Sequence, residues 1–421
     1  MPPDDQPRNL KAMLSEAKDT SEIMVDLAYA ALFFGDAGMA REVEELEERL
    51  ADLAHAMREV CVLAARSPRD ASEMSSVLHV LSAIERMSAA AVGISRIVTK
   101  RLGIPAALVA DLAAAEEISH RVRVRDESAL AGRTFADVAL PTKAGMRVVA
   151  IRRGKDWVID PDGEEMFVTD DVLILRGPPE GIVELRELAG APEWRSPGTD
   201  DDPAVITDLD RAVDVLVEMK NVSEVAIGLA YSALLFNDQS LAAEVSALED
   251  RLDEMRERLE VWVLRSAAEQ VEPSSLRGLL HLGAAAEELG DAAQQMVWLV
   301  EESEEMHPVL AIAFGDSDEV IVRVPVSMGS PLDGHTLSEL RLELETGFYL
   351  LAVRRAGRYL YRPRGPVRLE AGDELIGIGP EEGRERLAQL GGYSVHEDDA
   401  TGEISLVSLA SSSSSARAPS H

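Results

Sequence analysis

Two ten-residue stretches, Leu27–Asp36 (LAYAALFFGD) and Leu229–Asp238 (LAYSALLFND), are identical at seven positions and begin 202 residues apart. The same offset maps Gly132 onto Gly334, with no insertion or deletion between these anchors. Self-similarity that keeps one register over such a distance indicates a duplicated unit. The chain is therefore a tandem repeat of two halves, and we expect both halves to fold in the same way.

The first part of each half has the periodicity of long helices. Apolar residues recur at alternating spacings of three and four, which places them on one stripe of a helix. These residues are Val43, Leu46, Leu50, Leu53, Met57 and Val60, and then Val245, Leu248, Leu252, Met255, Leu259 and Trp262. Comparable stretches precede this helix (Leu10–Phe34) and follow it (Ser72–Lys100). We therefore expect a bundle of three antiparallel helices, followed by a short helix over Ala106–Glu117.

The second part of each half changes to the two-residue period of a strand. Arg121-Val-Arg-Val-Arg125 alternates strictly, as a half-buried strand does, and Val320–Val326 does the same in the second half. The remaining elements of the first half are expected to be strands at Arg147–Ile151, Trp157–Ile159 and Asp171–Leu175, with helices at Thr134–Val138 and Glu180–Leu188. This order predicts a small α+β unit.

Composition marks the domain boundaries. A segment rich in Pro, Gly and Asp separates the halves, and a run of serines, Ser411–Ser415, ends the chain; the first is typical of a linker and the second of a disordered tail. The expected divisions are a helical bundle at 10–118, an α+β unit at 119–188, a linker at 189–204, a second bundle at 205–318, a second α+β unit at 319–393 and a disordered tail at 394–421.

Net charge restricts the class of partner. The 421 residues include 76 acidic and 42 basic ones, which gives a formal charge of −34. Such a chain lacks the basic surface that a nucleic acid requires, so no nucleic-acid partner is expected. Because salt screens the self-repulsion of so acidic a chain, a salt-rich, halophilic cytoplasm is expected.

Cysteine content and hydropathy point to the cytoplasm. The single cysteine, Cys61, excludes an intrachain disulfide and is typical of a reducing compartment. Residues 1–9 are polar, and the best apolar run, Met87–Ile94, is shorter than the ~20 residues of a membrane span. We therefore expect a soluble cytoplasmic protein.

The α+β units resemble the TrkA C-terminal domain, which is also called the C-terminal domain of the regulator of potassium conductance. The motifs that carry this resemblance are Leu130–Thr134, Gly145–Gly154, Pro161 and Asp171–Gly177, and in the second half Leu332–Thr336, Gly347–Arg355, Pro363 and Gly372–Gly379. Members of that family commonly dimerise and bind small ligands at the dimer interface, and some members bind cyclic dinucleotides there. The resemblance therefore implies self-association and an anionic ligand.

The helical parts resemble the PhoU family of bundles that regulate phosphate uptake. The resemblance rests on Ala31-Leu32, Asp36 and Val43 with the apolar stripe, and on Glu85-Arg-Met-Ser on a later helix. Together the two resemblances imply an α+β multidomain fold: two PhoU-like antiparallel helical bundles, each followed by a small α/β TrkA-C-like domain. This combination is similar to archaeal proteins associated with potassium transport.

A carboxylate pattern in the second bundle is a candidate divalent-metal site. Pairs four residues apart lie on one helical face, and two such helices together offer four oxygens to a hard cation; the PhoU resemblance implies metal clusters of this kind. The pairs are Glu249 with Asp253 and Glu287 with Asp291. In the first bundle, Ala51 and Ala89 stand at the aspartate positions, so only the second is expected to bind metal. In so acidic a chain, each pair taken alone is more typical of a solvated acidic face, and it is the coincidence of both pairs that makes a metal site an equal alternative.

Paired arginines are the candidate ligand contacts. Arg152-Arg153 and Arg354-Arg355 stand where a buried strand leaves the sheet in each α+β unit, and arginine clusters suit phosphate recognition. The alternative is that these arginines lie on the surface and pair with the abundant carboxylates, which the residue types favour.

The resemblances imply a cytoplasmic, ligand-sensing accessory protein of potassium or other cation transport, which contacts a membrane transporter or channel. The first alternative is a PhoU-like regulator of phosphate uptake that acts by protein contact. The second is a metal-dependent enzyme that uses the carboxylates of the second bundle. Because the chain has no HExxH, P-loop or catalytic-triad pattern, we expect no enzymatic activity.

Overall fold

The structure is a computed structural model that describes residues 9–105, 108–109, 118–192, 207–267, 273–304, 306–315, 317, 319–397 and 404–409. Most of the helix expected over Ala106–Glu117, most of the linker and the serine run lie outside these residues.

The first bundle consists of three long helices, α1 (Leu10–Phe34), α2 (Ala37–Ala64) and α3 (Pro68–Thr99). Polar side chains cap the first turns of the helices that follow the junctions. Asp36 accepts hydrogen bonds from backbone N–H groups of the first turn of α2, and Ser67 caps α3 in the same way. Gly35 ends α1 in the left-handed conformation that glycine adopts without strain. The three-helix expectation is therefore confirmed for this half.

The first α+β unit follows as β1 (Ile118–Arg123), α4 (Phe135–Val138), α5 (Leu140–Ala144), β2 (Arg147–Arg153), β3 (Asp156–Ile159), β4 (Val172–Gly177) and α6 (Gly181–Leu188). The strands form an antiparallel sheet in the order β1-β4-β2-β3, so β1 is an edge strand. Leu173 and Leu175 of β4 join the core of this unit, whereas Val172 and Ile174 pack against the bundle. Each face of the sheet therefore has its own apolar partner.

The second half repeats the first. Its helices and strands are α7 (Asp208–Phe236), α8 (Gln239–Ser266), α9 (Pro273–Glu301), α10 (Val309–Gly315), β5 (Glu319–Pro325), α11 (Leu337–Leu340), α12 (Leu342–Thr346), β6 (Tyr349–Arg355), β7 (Arg358–Tyr361), β8 (Glu374–Pro380) and α13 (Glu381–Gly391). The sheet order, β5-β8-β6-β7, matches that of the first unit. The expected α+β architecture of bundles and small antiparallel sheets is confirmed.

The tail departs from the expectation of disorder at its start. β9 (Tyr393–Glu397) and β10 (Ile404–Ser408) pair as an antiparallel hairpin. Strand alternation is visible in Tyr393-Ser-Val-His396 and Ile404-Ser-Leu-Val407, but the serine-rich composition that follows obscured it. Because Leu406 packs against the core of the second α+β unit, the hairpin extends that unit.

The two halves pack on each other along matching elements. Helix α3 lies against α9, α1 contacts α10, and α5 contacts α12. α3 is long and apolar enough to cross a membrane by length and composition, which differs from the sequence-based expectation, but 61% of its most apolar window is buried inside the structure. Its neighbours α1, α2 and α9 account for that burial, as expected for the core helix of a helical assembly.

Candidate functional site

The two α+β units pair with each other within the chain. Both Gly145 and Gly347 have positive φ, and a Cβ on either would lie close to a backbone carbonyl of the opposite unit: 3.3 Å from that of Glu343 and 3.0 Å from that of Pro141. The contact is therefore reciprocal, as across a twofold axis. Glycine at both positions permits this approach. Pairing between two chains stays a prediction.

Below this contact lies a cavity of ≈ 360 Å³ that all four domains line. Apolar atoms contribute to its wall, but its distinctive feature is the number of charged side chains. Those that line it include Glu22, Asp26, Arg147, Arg176, Glu224 and Glu319. Because both halves line the cavity, a movement of one half relative to the other would change its shape. We therefore regard it as the candidate functional site.

Arg147 links the two α+β units across the cavity. Its guanidinium contacts Glu319 of the second unit at 2.7 Å and Asp160 of its own unit at 3.3 Å. Burial by itself would lower the pKa of Arg147, but these carboxylates outweigh it and raise the pKa well above its usual range. The same pairing lowers the pKa of Glu319 against the effect of burial. Both groups therefore remain charged.

Arg176 links the first α+β unit to both bundles. It donates to Asp26 on α1 and lies 3.8 Å from Glu224 on α7. Glu224 also pairs with Lys220 at 2.7 Å and with Arg362 at 3.7 Å. Burial alone would raise the pKa of Glu224, but the three cations Lys220, Arg176 and Arg362 lower it to about 2.

The bundles exchange a reciprocal pair of lysine–tyrosine contacts. Lys18, which is fully buried, pairs with Glu22 at 2.7 Å and lies 5.2 Å from the ring centre of Tyr231 in the other half. Lys220 occupies the equivalent position 5.1 Å from the ring centre of Tyr29. A cation over an aromatic face is stabilised by the ring quadrupole. In each half, a tyrosine ring therefore contacts a lysine of the other half.

The sequence contained a signal for this network that residue-type reasoning missed. The chain has six lysines, and two of them, Lys18 and Lys220, are separated by the repeat offset of 202. A rare residue retained in both copies, on the apolar side of a helix, indicates a buried role. The partners of these lysines in the other half are not visible in the sequence.

None of the four predicted ligand arginines lines the cavity between the halves. Arg153 makes contacts of 2.9 Å with Asp171 and Glu165, and Arg355 pairs at 2.6 Å with Asp373. The two remaining arginines contact carboxylates as well: Arg152 reaches Asp36 at 3.5 Å and Arg354 reaches Glu374 at 3.0 Å. Their role in binding a ligand stays a prediction.

The four predicted metal ligands lie together on α8 and α9, but two of them bind arginines. Arg256 contacts Glu287 at 2.7 Å, and Arg86 of the first bundle contacts Asp291 at 2.6 Å. Burial, followed by the charges of Asp253 and Asp291, raises the pKa of Glu249 to about 7. Among the described residues, no group of three or more His, Cys, Asp or Glu has metal-binding geometry. The metal site stays a prediction, and a cation would have to displace both arginines.

Comparison with family models defines the class of protein. The PhoU domain model matches residues 14–98 and 216–300, and the TrkA-C domain model matches residues 120–190 and 321–390. The chain therefore consists of two PhoU domains that alternate with two TrkA-C domains, which confirms both resemblances. It belongs to the proteins that combine these two domains.

Individual relatives are similar over part of their length. "Ktr system potassium uptake protein C" of Bacillus subtilis (strain 168) is 38% identical over 56 residues, which are 13% of this chain and 25% of that protein. The crystal structure of PhoU from Pseudomonas aeruginosa is similar at 15% identity over 69% of this chain and 93% of that chain, with a TM-score of 0.36. The GsuK RCK domain is similar at 16% identity over 66% of this chain and 64% of that chain, with a TM-score of 0.17. TM-scores this low do not establish a common arrangement of domains.

Proposed function

We propose that this chain is a cytoplasmic regulatory subunit of potassium or other cation transport, which senses a small anionic ligand such as a cyclic dinucleotide. The observation that carries the proposal is that the TrkA-C domains meet over one charged cavity that both PhoU domains also line. The similarity of a 56-residue stretch to a potassium uptake protein supports the choice of transported ion.

The network around the cavity supports a mechanism in which the halves move relative to one another. A ligand shifts an equilibrium between two arrangements only if it binds them with different free energies. An anion that reaches Arg147 or Arg176 competes with Glu319 and Glu224, which belong to the other half. Its binding therefore weakens contacts between the halves, and the PhoU bundles transmit the change to a membrane transporter or channel.

Deletion of the gene tests the proposal, with potassium uptake and phosphate uptake measured in the same strains. Loss of the protein should change potassium uptake, most strongly at low external potassium. Reintroduction of the natural chain should restore uptake, whereas Arg176→Met should restore the protein level but not its regulation. Unaltered potassium uptake in the deletion strain would contradict the proposal.

The alternative, a regulator of phosphate uptake that acts by protein contact, is favoured by the two PhoU domain matches. In that case the deletion strain should change phosphate uptake and leave potassium uptake intact. We expect no enzymatic activity in either case, because charged side chains of the cavity, such as Arg147 and Arg176, are engaged in ion pairs between domains. Self-association of two chains through the TrkA-C domains is part of the proposal.

A further inference from the structure

A second cavity lies along the edge strand β1 of the first TrkA-C domain, and all its lining residues belong to the first half of the chain. It has a volume of ≈ 330 Å³ and is lined by five arginines, Arg121, Arg123, Arg125, Arg152 and Arg186, with Val122, Val172, Ala191 and Pro192. We call it the arginine groove. Five cations in one groove are unexpected in a chain with a formal charge of −34.

Strand geometry brings these arginines to one side of the sheet. Side chains of alternate residues point to the same face of a strand, so Arg121 and Arg123 share a face of the edge strand β1. In the register of the sheet, Val172 of β4 lies opposite Arg123 on one side and opposite Arg152 on the other. The row Arg123–Val172–Arg152 therefore places an apolar residue between two cations.

Only weak counter-charges reach this row within the described part of the chain. Arg123 lies 3.6 Å from Asp170, and both side chains are largely exposed. Arg152 lies 3.5 Å from Asp36. Such long or exposed pairs contribute little attraction in water.

Arg121 and Arg186, two further arginines of the groove, contact neutral groups. The Arg121 guanidinium lies 5.0 Å from the ring centre of Phe34. Arg186 donates to the carbonyl oxygen of Pro192 at 2.7 Å and lies 3.5 Å from the ring nitrogen Nε2 of His120. Burial, followed by the charge of Arg186, lowers the pKa of His120 to about 4, so its ring is neutral at physiological pH. These contacts orient the cations without neutralising them.

The second half provides an internal comparison, because most groove residues of the first half have different residues 202 positions later. The positions of Arg123, Arg125 and Arg186 hold Pro325, Ser327 and Ala388. The position of Val172 holds Glu374, which pairs with Arg354 at 3.0 Å, and Arg323 pairs with Asp238 at 2.7 Å. The second copy thus neutralises its remaining arginines with carboxylates of its own. The first copy has more cations and no glutamate in the central row.

We propose that the arginine groove binds a small molecule that carries two or more phosphate groups. Guanidinium groups form paired hydrogen bonds with phosphate oxygens, and a cluster of them suits a multiply charged anion. The groove volume is at the lower end of small-molecule sites, which fits a compact polyanion. The inference rests on the proposed function only for the ligand class. It adds a second anion site, in the first half of the chain, to the cavity where Arg147 and Arg176 are proposed to meet the sensed ligand.

Isothermal titration of the full chain with inorganic tripolyphosphate, at fixed KCl concentration, tests the assignment. The natural protein should bind one equivalent. The double variant Arg125→Ser and Arg186→Ala introduces the residues of the second copy, and should bind at least about tenfold more weakly, since hydrogen bonds between charged groups are lost. The control variant Arg258→Ala with Arg358→Ala removes two exposed arginines elsewhere and should bind like the natural chain.

Two further binding measurements distinguish a free phosphate ligand from a lipid headgroup, and phosphate groups from carboxylates. Binding to tripolyphosphate indicates a free ligand, whereas binding only to phosphatidylglycerol vesicles, lost in the groove variant, indicates a lipid headgroup as the source of the phosphates. Citrate, a tricarboxylate, should bind more weakly than tripolyphosphate. The inference is overturned if neither phosphate probe binds, if the groove variant binds as tightly as the natural chain, or if citrate binds equally well. Altered potassium uptake in the deletion strain would then still support the proposed function.

Discussion

Glu224 offers the sharpest test of the buried network, because three cations from different domains meet at its carboxylate. Its side chain is 11% exposed, and its partners are Lys220 at 2.7 Å, Arg362 at 3.7 Å and Arg176 at 3.8 Å. We expect Glu224→Gln to destabilise the folded chain, because it removes the negative charge that these three cations share in a buried site.

The pKa of Glu224 gives the magnitude. Burial opposes ionisation, but the three cations prevail and lower the pKa to about 2. The value in an unfolded chain is about 4.3, so the ionised form stabilises the folded state by about 3 kcal/mol at neutral pH. This contribution is complete above about pH 5, declines as the pH falls below the unfolded pKa, and is lost near the folded pKa.

Urea unfolding of the natural chain and of Glu224→Gln, followed by tryptophan fluorescence, measures the effect. The free energies of unfolding should differ by about 3 kcal/mol at neutral pH and converge as the pH falls toward about 2. As a control, Glu73→Gln removes the partner of the exposed Arg69 and should cost less than about 0.5 kcal/mol. A difference that stays constant with pH, or that does not exceed the control, would refute the reasoning.

Three further predictions concern salt, metal and close packing. The midpoint of thermal unfolding should rise from dilute buffer to molar KCl, since salt screens the repulsion among charges that sum to −34; a flat or falling midpoint would contradict this. Asp253→Ala with Asp291→Ala should abolish Mn²⁺ binding measured by calorimetry, and unchanged stoichiometry would exclude the second bundle as the site. Gly181→Ala should cost at least about 2 kcal/mol of unfolding free energy, because its Cβ would lie 1.9 Å from the carbonyl oxygen of Ala144. Gly93→Ala, whose Cβ meets nothing closer than 3.8 Å, should instead be neutral or stabilise α3, and equal effects of the two substitutions would count against the packing argument.

Local sequence pattern predicted the secondary structure well where an element has a clear signal, such as the alternation of a strand or a capping residue at the end of a helix. Strict alternation in Arg121–Arg125 predicted a strand, which the structure has as β1 over Ile118–Arg123. Gly35 follows the last residue of α1, and Ser67 precedes the first residue of α3. The helix expected at Thr134–Val138 is present as α4, but the short helix α5 (Leu140–Ala144) that follows it was not predicted. Ala139 adopts a left-handed conformation with φ of 49°, and an alanine gives no sign of such a conformation in a sequence.

The candidate sites were less predictable, because the partners of a charged side chain depend on packing. Arg152-Arg153 and Arg354-Arg355 are basic pairs in the sequence, but the structure provides each arginine with a carboxylate. The acidic composition had indicated this outcome as the alternative. Asp291 is likewise held by Arg86, which is 205 residues away in the chain.

The sequence by itself determined the duplication, the alternation of helical and α+β parts, and the class of each domain. These features depend on the spacing of neighbouring residues and on residues repeated at a fixed offset, which the chain displays directly. Only the tertiary structure decided how the halves fit together: that Lys18 lies over Tyr231, and that Arg147 meets Glu319 across the cavity. Such pairs join positions with no relation in spacing, and their energy depends on burial, which removes the competing water and leaves each charge dependent on its partner.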